Sequence, residues 1–198
     1  MLQYRLLKFS PKLLRFYRNR ILLDLPLIAS YLPAEGTVLE IGCGVGALTY
    51  ALASLRPALD LLGVDIDEQS IKFAQAYHTL PNTRFLCQRV ESVEGRFDCV
   101  MLVDVLHHVP LAQYDHFFSA ASRLLVQGGR LFIKDVERRR GFVSFAMDRH
   151  ISGCPADEIN LHNCDEMCSL VSKSLGVRSA IVKYRFPFPH YYISASHD

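Results

Sequence analysis

The chain has 198 residues, half of them apolar and 21% charged, a composition that excludes a disordered protein and gives one domain enough apolar material for a core. No run of about 18 uncharged apolar residues occurs, because the best stretch, 21–32, is broken by Asp24 and Pro26, so no spanning helix is expected. The net charge of +2 hides an asymmetry: residues 1–20 hold six basic side chains and no acid, the rest is mildly acidic, and a nucleic-acid groove running across the whole protein is excluded.

From the N-terminus, residues 1–33 read as helix with interruptions. Leu13, Leu14, Phe16, Tyr17, Ile21 and Leu22 form a helical apolar stripe, and Arg5, Lys8, Lys12, Arg15, Arg18 and Arg20 fill the other face. Residues 1–34 are therefore expected to make a basic helical cap. Three roles stay open for it: a solvated face over the site, contact with an anionic membrane surface, or docking of an acidic carrier protein. The basic start lacks a clean apolar core and a small-residue cleavage site, so no secretory signal is expected.

From Thr37 short apolar runs alternate with longer amphipathic segments. Strands are expected at 37–41, 61–64, 84–87, 98–103 and 130–136, with helices at about 47–55, 68–78 and 112–125. The near-continuous apolar strands and their order predict an α/β, doubly wound, mostly parallel sheet with helices on both faces, residues 35–198 forming one compact domain. A helix at 165–175 follows, then two strand-like runs, 177–184 and 191–196, expected to pair antiparallel and close the sheet edge.

Segment 137–157 reads either as a lid or acceptor wall or as a crossover helix with a solvated basic start. Phe142, Phe145, Phe186, Phe188, Tyr191 and Tyr192 fit an aromatic acceptor pocket or simple core. The six cysteines, at 43, 87, 99, 154, 164 and 168, suit reduced, buried thiols in a cytoplasmic protein. His150, Cys154, His162, Cys164 and Cys168 cluster without the spacing of a common zinc site, and no metal is expected.

The sequence Val38-Leu39-Glu40-Ile41-Gly42-Cys43-Gly44-Val45-Gly46 runs a strand into three alternate glycines and a helix. Such a turn lets a ligand approach the backbone closely. Glu40, at the strand's end, repels a pyrophosphate and welcomes an ammonium group, which favours a nucleoside bearing a cationic amino acid over a dinucleotide. Gly63-Val64-Asp65-Ile66-Asp67 ends the second strand. Asp65 is placed to accept both ribose hydroxyls, Ile66 to pack on an adenine face, and Asp67 to cap the next helix.

Together with Phe97–Val109 around the fourth strand and Leu124–Leu131 entering the fifth, these motifs resemble the class I S-adenosylmethionine-dependent methyltransferases, in order and spacing, from about Thr37 to the C-terminus. The resemblance implies a seven-stranded Rossmann-like sheet with the last strand antiparallel. It implies S-adenosylmethionine as cofactor, with Glu40, Gly42, Cys43, Gly44 and Gly46 at its methionine end, Asp65 on the ribose, and Ile66 and the Val90 N–H at the adenine. Many relatives place Asp where Arg89 stands, and Arg cannot accept the adenine amine's hydrogen bond.

Asp104 closes the fourth strand, where the methyl group would point, and is expected to orient the cofactor or act on the acceptor. His107 and His108 follow as candidate general bases, with His107 first because three residues beyond Asp104 return to one face. Asp135 reads as an acceptor contact or as part of a salt-bridged strand end with Lys134.

The expected activity is methyl transfer to a small-molecule acceptor, at oxygen, with a carrier- or membrane-associated metabolite as one form of it. The chain is expected to act as a monomer or homodimer without nucleic acid, in the cytoplasm or peripherally on a membrane. A nicotinamide-dependent reductase and a non-catalytic S-adenosylmethionine-binding partner subunit are the alternatives.

Overall fold

A computed structural model describes residues 24–136, 163–176, 180–185 and 190–196. The described chain begins with Asp24, whose carboxylate accepts the Leu27 N–H and caps α1 (Leu25–Tyr31), with Pro26 in the first turn. Then follow β1 (Gly36–Ile41), α2 (Ala47–Leu55), β2 (Leu59–Asp65), α3 (Glu68–Tyr77), β3 (Thr83–Cys87), β4 (Phe97–Val103), α4 (Tyr114–Arg123), β5 (Leu125–Val136), α5 (Cys164–Leu175), β6 (Ala180–Arg185) and β7 (His190–Ser196). The basic residues of 1–20, segment 137–157, Phe186 and Phe188 lie outside the described residues.

The seven strands form one sheet in the order β3-β2-β1-β4-β5-β7-β6. β1 to β5 are parallel, and β7 runs antiparallel to both β5 and β6. The expected antiparallel pair is present, with β7 inside the sheet and β6 outermost. Strand order reverses beside β1, so the carboxyl ends of β1 and β4 open the crevice where doubly wound folds bind ligands.

β5 and α4 differ from the expected bounds for local reasons. β5 starts at Leu125, five residues early, because Phe97 pairs with Leu125 and Cys99 with Arg130, so that the intervening Gly128-Gly129 segment bulges out within the strand. α4 starts at Tyr114 because Pro110 introduces a separate 3-10 turn at Leu111–Gln113.

Alternation along the strands divides the core between two faces. Val38, Cys99, Met101, Val103, Phe132 and Tyr192 pack with α1 and α2. Leu39, Ile41, Val100, Leu102, Ile133 and Tyr191 pack with α4 and α5. Tyr191 and Tyr192 are thus core residues on opposite faces. α5 begins with a capping box in which Asn163 accepts the Glu166 N–H and Glu166 accepts the Asn163 N–H.

The described cysteines are free thiols. Cys87 departs from the expected burial: it ends β3, the outer strand of that edge, and is exposed. Among the described residues no helix is long and apolar enough to cross a membrane.

Candidate active site

Four acidic residues stand at the carboxyl ends of neighbouring strands: Glu40 on β1, Asp65 on β2, Asp104 just after β4 and Asp135 near the end of β5. Each is held differently. Glu40 is 4% exposed, and the Thr49 hydroxyl from α2 donates to its Oε2. Asp65 accepts the Gly44 N–H on Oδ2 (2.7 Å) and the Asp67 N–H on Oδ1 (2.9 Å). The carboxylate that ends β2 therefore also fixes the glycine turn that ends β1. Asp67 caps α3 through the Gln69 and Ser70 N–H groups, as expected.

Gly42, Gly44 and Gly46 all adopt positive φ. A Cβ at Gly42 would lie 2.4 Å from Val105, so the turn and the segment after β4 pack backbone against side chain. A Cβ at Gly44 would meet open space, which leaves this backbone facing the crevice. His78, buried after α3, lies with its Nδ1 2.6 Å from the Val45 carbonyl and braces the turn from behind. The Cys43 side chain is buried, and burial, Glu40 and Asp65 push its thiol pKa far up, so it remains protonated. Ile66 is 72% exposed beside Asp65. Val90 is buried at a 3-10 turn, and Arg89 points away to an exposed ion pair with Glu91 at 3.5 Å.

The β4/β5 side holds two ion-paired clusters. Lys134 is fully buried, and its Nζ lies 2.5 Å from Asp104 Oδ1. Asp104 takes φ +54, the single non-glycine residue with positive φ among the described residues. Burial alone would raise the Asp104 carboxyl, but Lys134 outweighs it and, with smaller help from His190 and His107, holds the pKa below the ordinary value.

On the opposite face Asp135 grips His107 twice. Its Oδ1 accepts from the ring Nδ1 at 2.5 Å and its Oδ2 from the backbone N–H at 3.1 Å, with both side chains buried. Of the two readings of Asp135, the structure shows it ion-paired at the strand end, but Lys134 and Asp135 hold different partners, Asp104 and His107, on opposite faces. His108 is exposed on one side and lies against His107, ring centroids 4.0 Å apart and planes tilted by 53°. Burial, then the neighbouring His107, lowers its pKa.

Sequence reasoning missed Thr49, His78 and His190. Lys134 was read only as part of the end of the fifth strand, where it follows the apolar run Leu131-Phe132-Ile133. His190 opens β7 opposite Val136, and burial, then Lys134, lowers its pKa to about 4. It stays neutral in the folded protein while an unfolded imidazole protonates near 6.5. Acidification from pH 6.5 to 4 therefore favours the unfolded chain, by up to about 3 kcal/mol from this residue. Thermal melts across that window are expected to show a falling midpoint, and His190→Asn to flatten the fall. An equal fall in the variant would assign it elsewhere.

Residues 38–129 match a family described as "Methyltransferase domain". The ubiquinone biosynthesis O-methyltransferase of Xanthomonas axonopodis pv. citri is 33% identical over 113 residues, which are 54% of this chain and 45% of that protein. The mitochondrial protein of the same name from Saccharomyces cerevisiae is 28% identical over 109 residues, 52% of this chain and 35% of that one. The chain spans about half the length or less of the curated relatives it matches. Among solved structures, magnesium protoporphyrin IX methyltransferase from Synechocystis PCC 6803 with bound SAH superposes with a TM-score of 0.65 at 18% identity, over 96% of this chain and 100% of that one. At that identity the likeness is one of fold.

Proposed function

We propose that this chain is a class I S-adenosylmethionine-dependent methyltransferase that transfers the cofactor's methyl group to a hydroxyl oxygen of a small-molecule acceptor. The observation that carries the reading is the joint placement of Glu40, the Gly42–Gly46 turn and Asp65 around one crevice. A buried carboxylate suits the ammonium of the methionine moiety, and the open backbone at Gly44 lets that moiety approach. The two oxygens of Asp65, each already oriented by one backbone N–H, have lone pairs left for the ribose hydroxyls. Ile66 supplies an exposed apolar face for adenine, with the Val90 N–H at its edge. Arg89 takes no part.

In the transfer, the acceptor oxygen attacks the methyl carbon in line, and the carbon–sulfur bond breaks with its electron pair moving to sulfur. The main demand on the protein is alignment. The acceptor's proton goes to His107, the imidazole that Asp135 holds in place through Nδ1 and the backbone N–H. An oxygen acceptor agrees with the names of the relatives. An acceptor presented on an acidic carrier or an anionic membrane would complement the basic residues of 1–20.

Calorimetric titration with S-adenosylhomocysteine and with NADH tests the cofactor. Saturable binding of the first and none of the second is expected; the reverse would restore the reductase reading. Methyl transfer from labelled cofactor to a panel of hydroxylated aromatics tests the reaction. Binding without transfer to any of them would favour a non-catalytic partner. Asp65→Ala is expected to weaken S-adenosylhomocysteine by roughly 1.5–3 kcal/mol, the scale of hydrogen bonds to a charged group. Unchanged affinity would show that Asp65 serves the turn alone.

A further inference from the structure

Resting on the reading above, we infer that Lys134 is a positioning residue for the cofactor: it draws the Asp104 carboxylate onto the same sheet face as Glu40 and holds it there as a hydrogen-bond acceptor. The argument starts from strand alternation. On β1, Val38 packs on the α1/α2 face, so Glu40, two residues on, projects to that face and meets Thr49 of α2. On β5, Phe132 packs on the same face, so Lys134 projects there as well, opposite Tyr192. Asp135 projects to the other face, opposite Tyr191, and takes His107 with it.

Asp104 breaks this rule. Val103 packs on the α1/α2 face, so a continued strand would send Asp104 to the His107 side. The left-handed backbone at φ +54 interrupts the alternation, and the carboxylate reaches Lys134 instead. Asp is among the few residues that tolerate this conformation. The residue is tied twice, because its own N–H also donates to the Lys134 carbonyl at 2.8 Å. Lys134 is fully buried while the Asp104 side chain is 31% exposed. The pair therefore presents its carboxylate end to the crevice, and the ammonium lies behind it.

The arrangement sorts the two clusters by task. Glu40 and Asp104 offer anionic acceptors on the face that begins at the glycine turn, where the cofactor's ammonium and sulfonium belong. His107 and Asp135 meet on the other face of the sheet. Asp104 thus takes no proton from the acceptor, and its role is to orient the cofactor. The groups facing it are Lys134 from β5, His190 and Tyr191 from β7, and His107 and His108 from the turn after β4. His190 is neutral above about pH 4, so Lys134 is the strand-borne cation that keeps Asp104 ionised.

The test is S-adenosylhomocysteine affinity of the full chain from pH 5.5 to 8, by calorimetry, for the wild type, Lys134→Met and Lys134→Arg. Without its cation the half-buried carboxyl takes up a proton more readily. Lys134→Met is expected to bind roughly 10- to 100-fold more weakly at pH 5.5 and to recover as pH rises, a slope absent from the wild type. Lys134→Arg is expected to restore most of the affinity and remove the slope. Lys134→Met binding with the wild type's affinity at every pH overturns the inference, and so does an equal, pH-independent loss in both variants. Should Lys134→Met fail to fold, the double variant Lys134→Met/Asp104→Asn leaves no unpaired charge; weak, pH-independent binding is then expected, and wild-type affinity overturns the inference. A wild type that does not bind at all removes the cofactor reading itself.

Discussion

His107→Asn is expected to lower methyl-transfer turnover by roughly 10²–10⁴-fold, the usual contribution of a positioned general base, while leaving S-adenosylhomocysteine affinity nearly unchanged. The choice of asparagine follows from the burial of the pair. Alanine would strand the Asp135 carboxylate among apolar side chains, at a cost of about 3–5 kcal/mol, and lost activity could then reflect lost fold. Asparagine can keep an N–H on Asp135 Oδ1 in place of the ring Nδ1, and the backbone N–H of residue 107 still serves Oδ2. It has no second nitrogen lone pair to accept a proton. Steady-state kinetics beside thermal melts separate the two effects. Intact turnover in a folded variant would mean that alignment suffices or that His108 takes the proton. His108→Asn is the companion: the ring is exposed and touches His107 at a tilt, and its loss is expected to cost far less.

The parts of the site that follow from local order were legible in the sequence. Glycines at alternate positions after an apolar strand announce a turn, and an acid at the next strand's end announces a carboxylate at the crevice; both stand where they were expected. Asp67 could be assigned to the cap of α3 because capping depends on neighbours two and three residues away. What escaped depends on contacts between distant segments. Thr49 looks like any polar residue in a helix until β1 is laid against α2. His190 is 56 residues from Lys134 and gains its meaning only because β7 pairs with β5. The partners of Asp135 and Lys134 were out of reach for the same reason: alternation puts adjacent residues on opposite faces, but which residue of β4's exit turns to which face depends on the φ of Asp104. The edge position of β3, and with it the exposure of Cys87, likewise follows from strand order.

A large loss of stability is expected at Gly46→Ala. Gly46 has φ +76 and ends the glycine turn at the start of α2. An added Cβ would fall 2.5 Å from Phe85 Cε1, 2.7 Å from Phe85 Cζ and 2.9 Å from the Ala74 methyl. Phe85 cannot swing aside, because it is buried on β3 within the small cluster of Cys43, Ile71 and Ala74 that seats α3 on the sheet. The left-handed backbone costs an L-residue about 1–2 kcal/mol and overpacking about 1–3 kcal/mol more. The sum, about 2–5 kcal/mol, is a large part of the stability of a typical domain. Gly44→Ala shares the left-handed backbone, at φ +51, but meets no atom within 4 Å, so it pays for strain alone and loses about 1–2 kcal/mol. Its methyl group would stand instead in the space the cofactor needs. Urea denaturation and S-adenosylhomocysteine titration of the two variants are therefore expected to rank them in opposite orders, Gly46→Ala the less stable and Gly44→Ala the weaker binder relative to its stability. Equal denaturation midpoints would show that the α3 cluster yields to the extra carbon and that the third glycine is required by backbone conformation only.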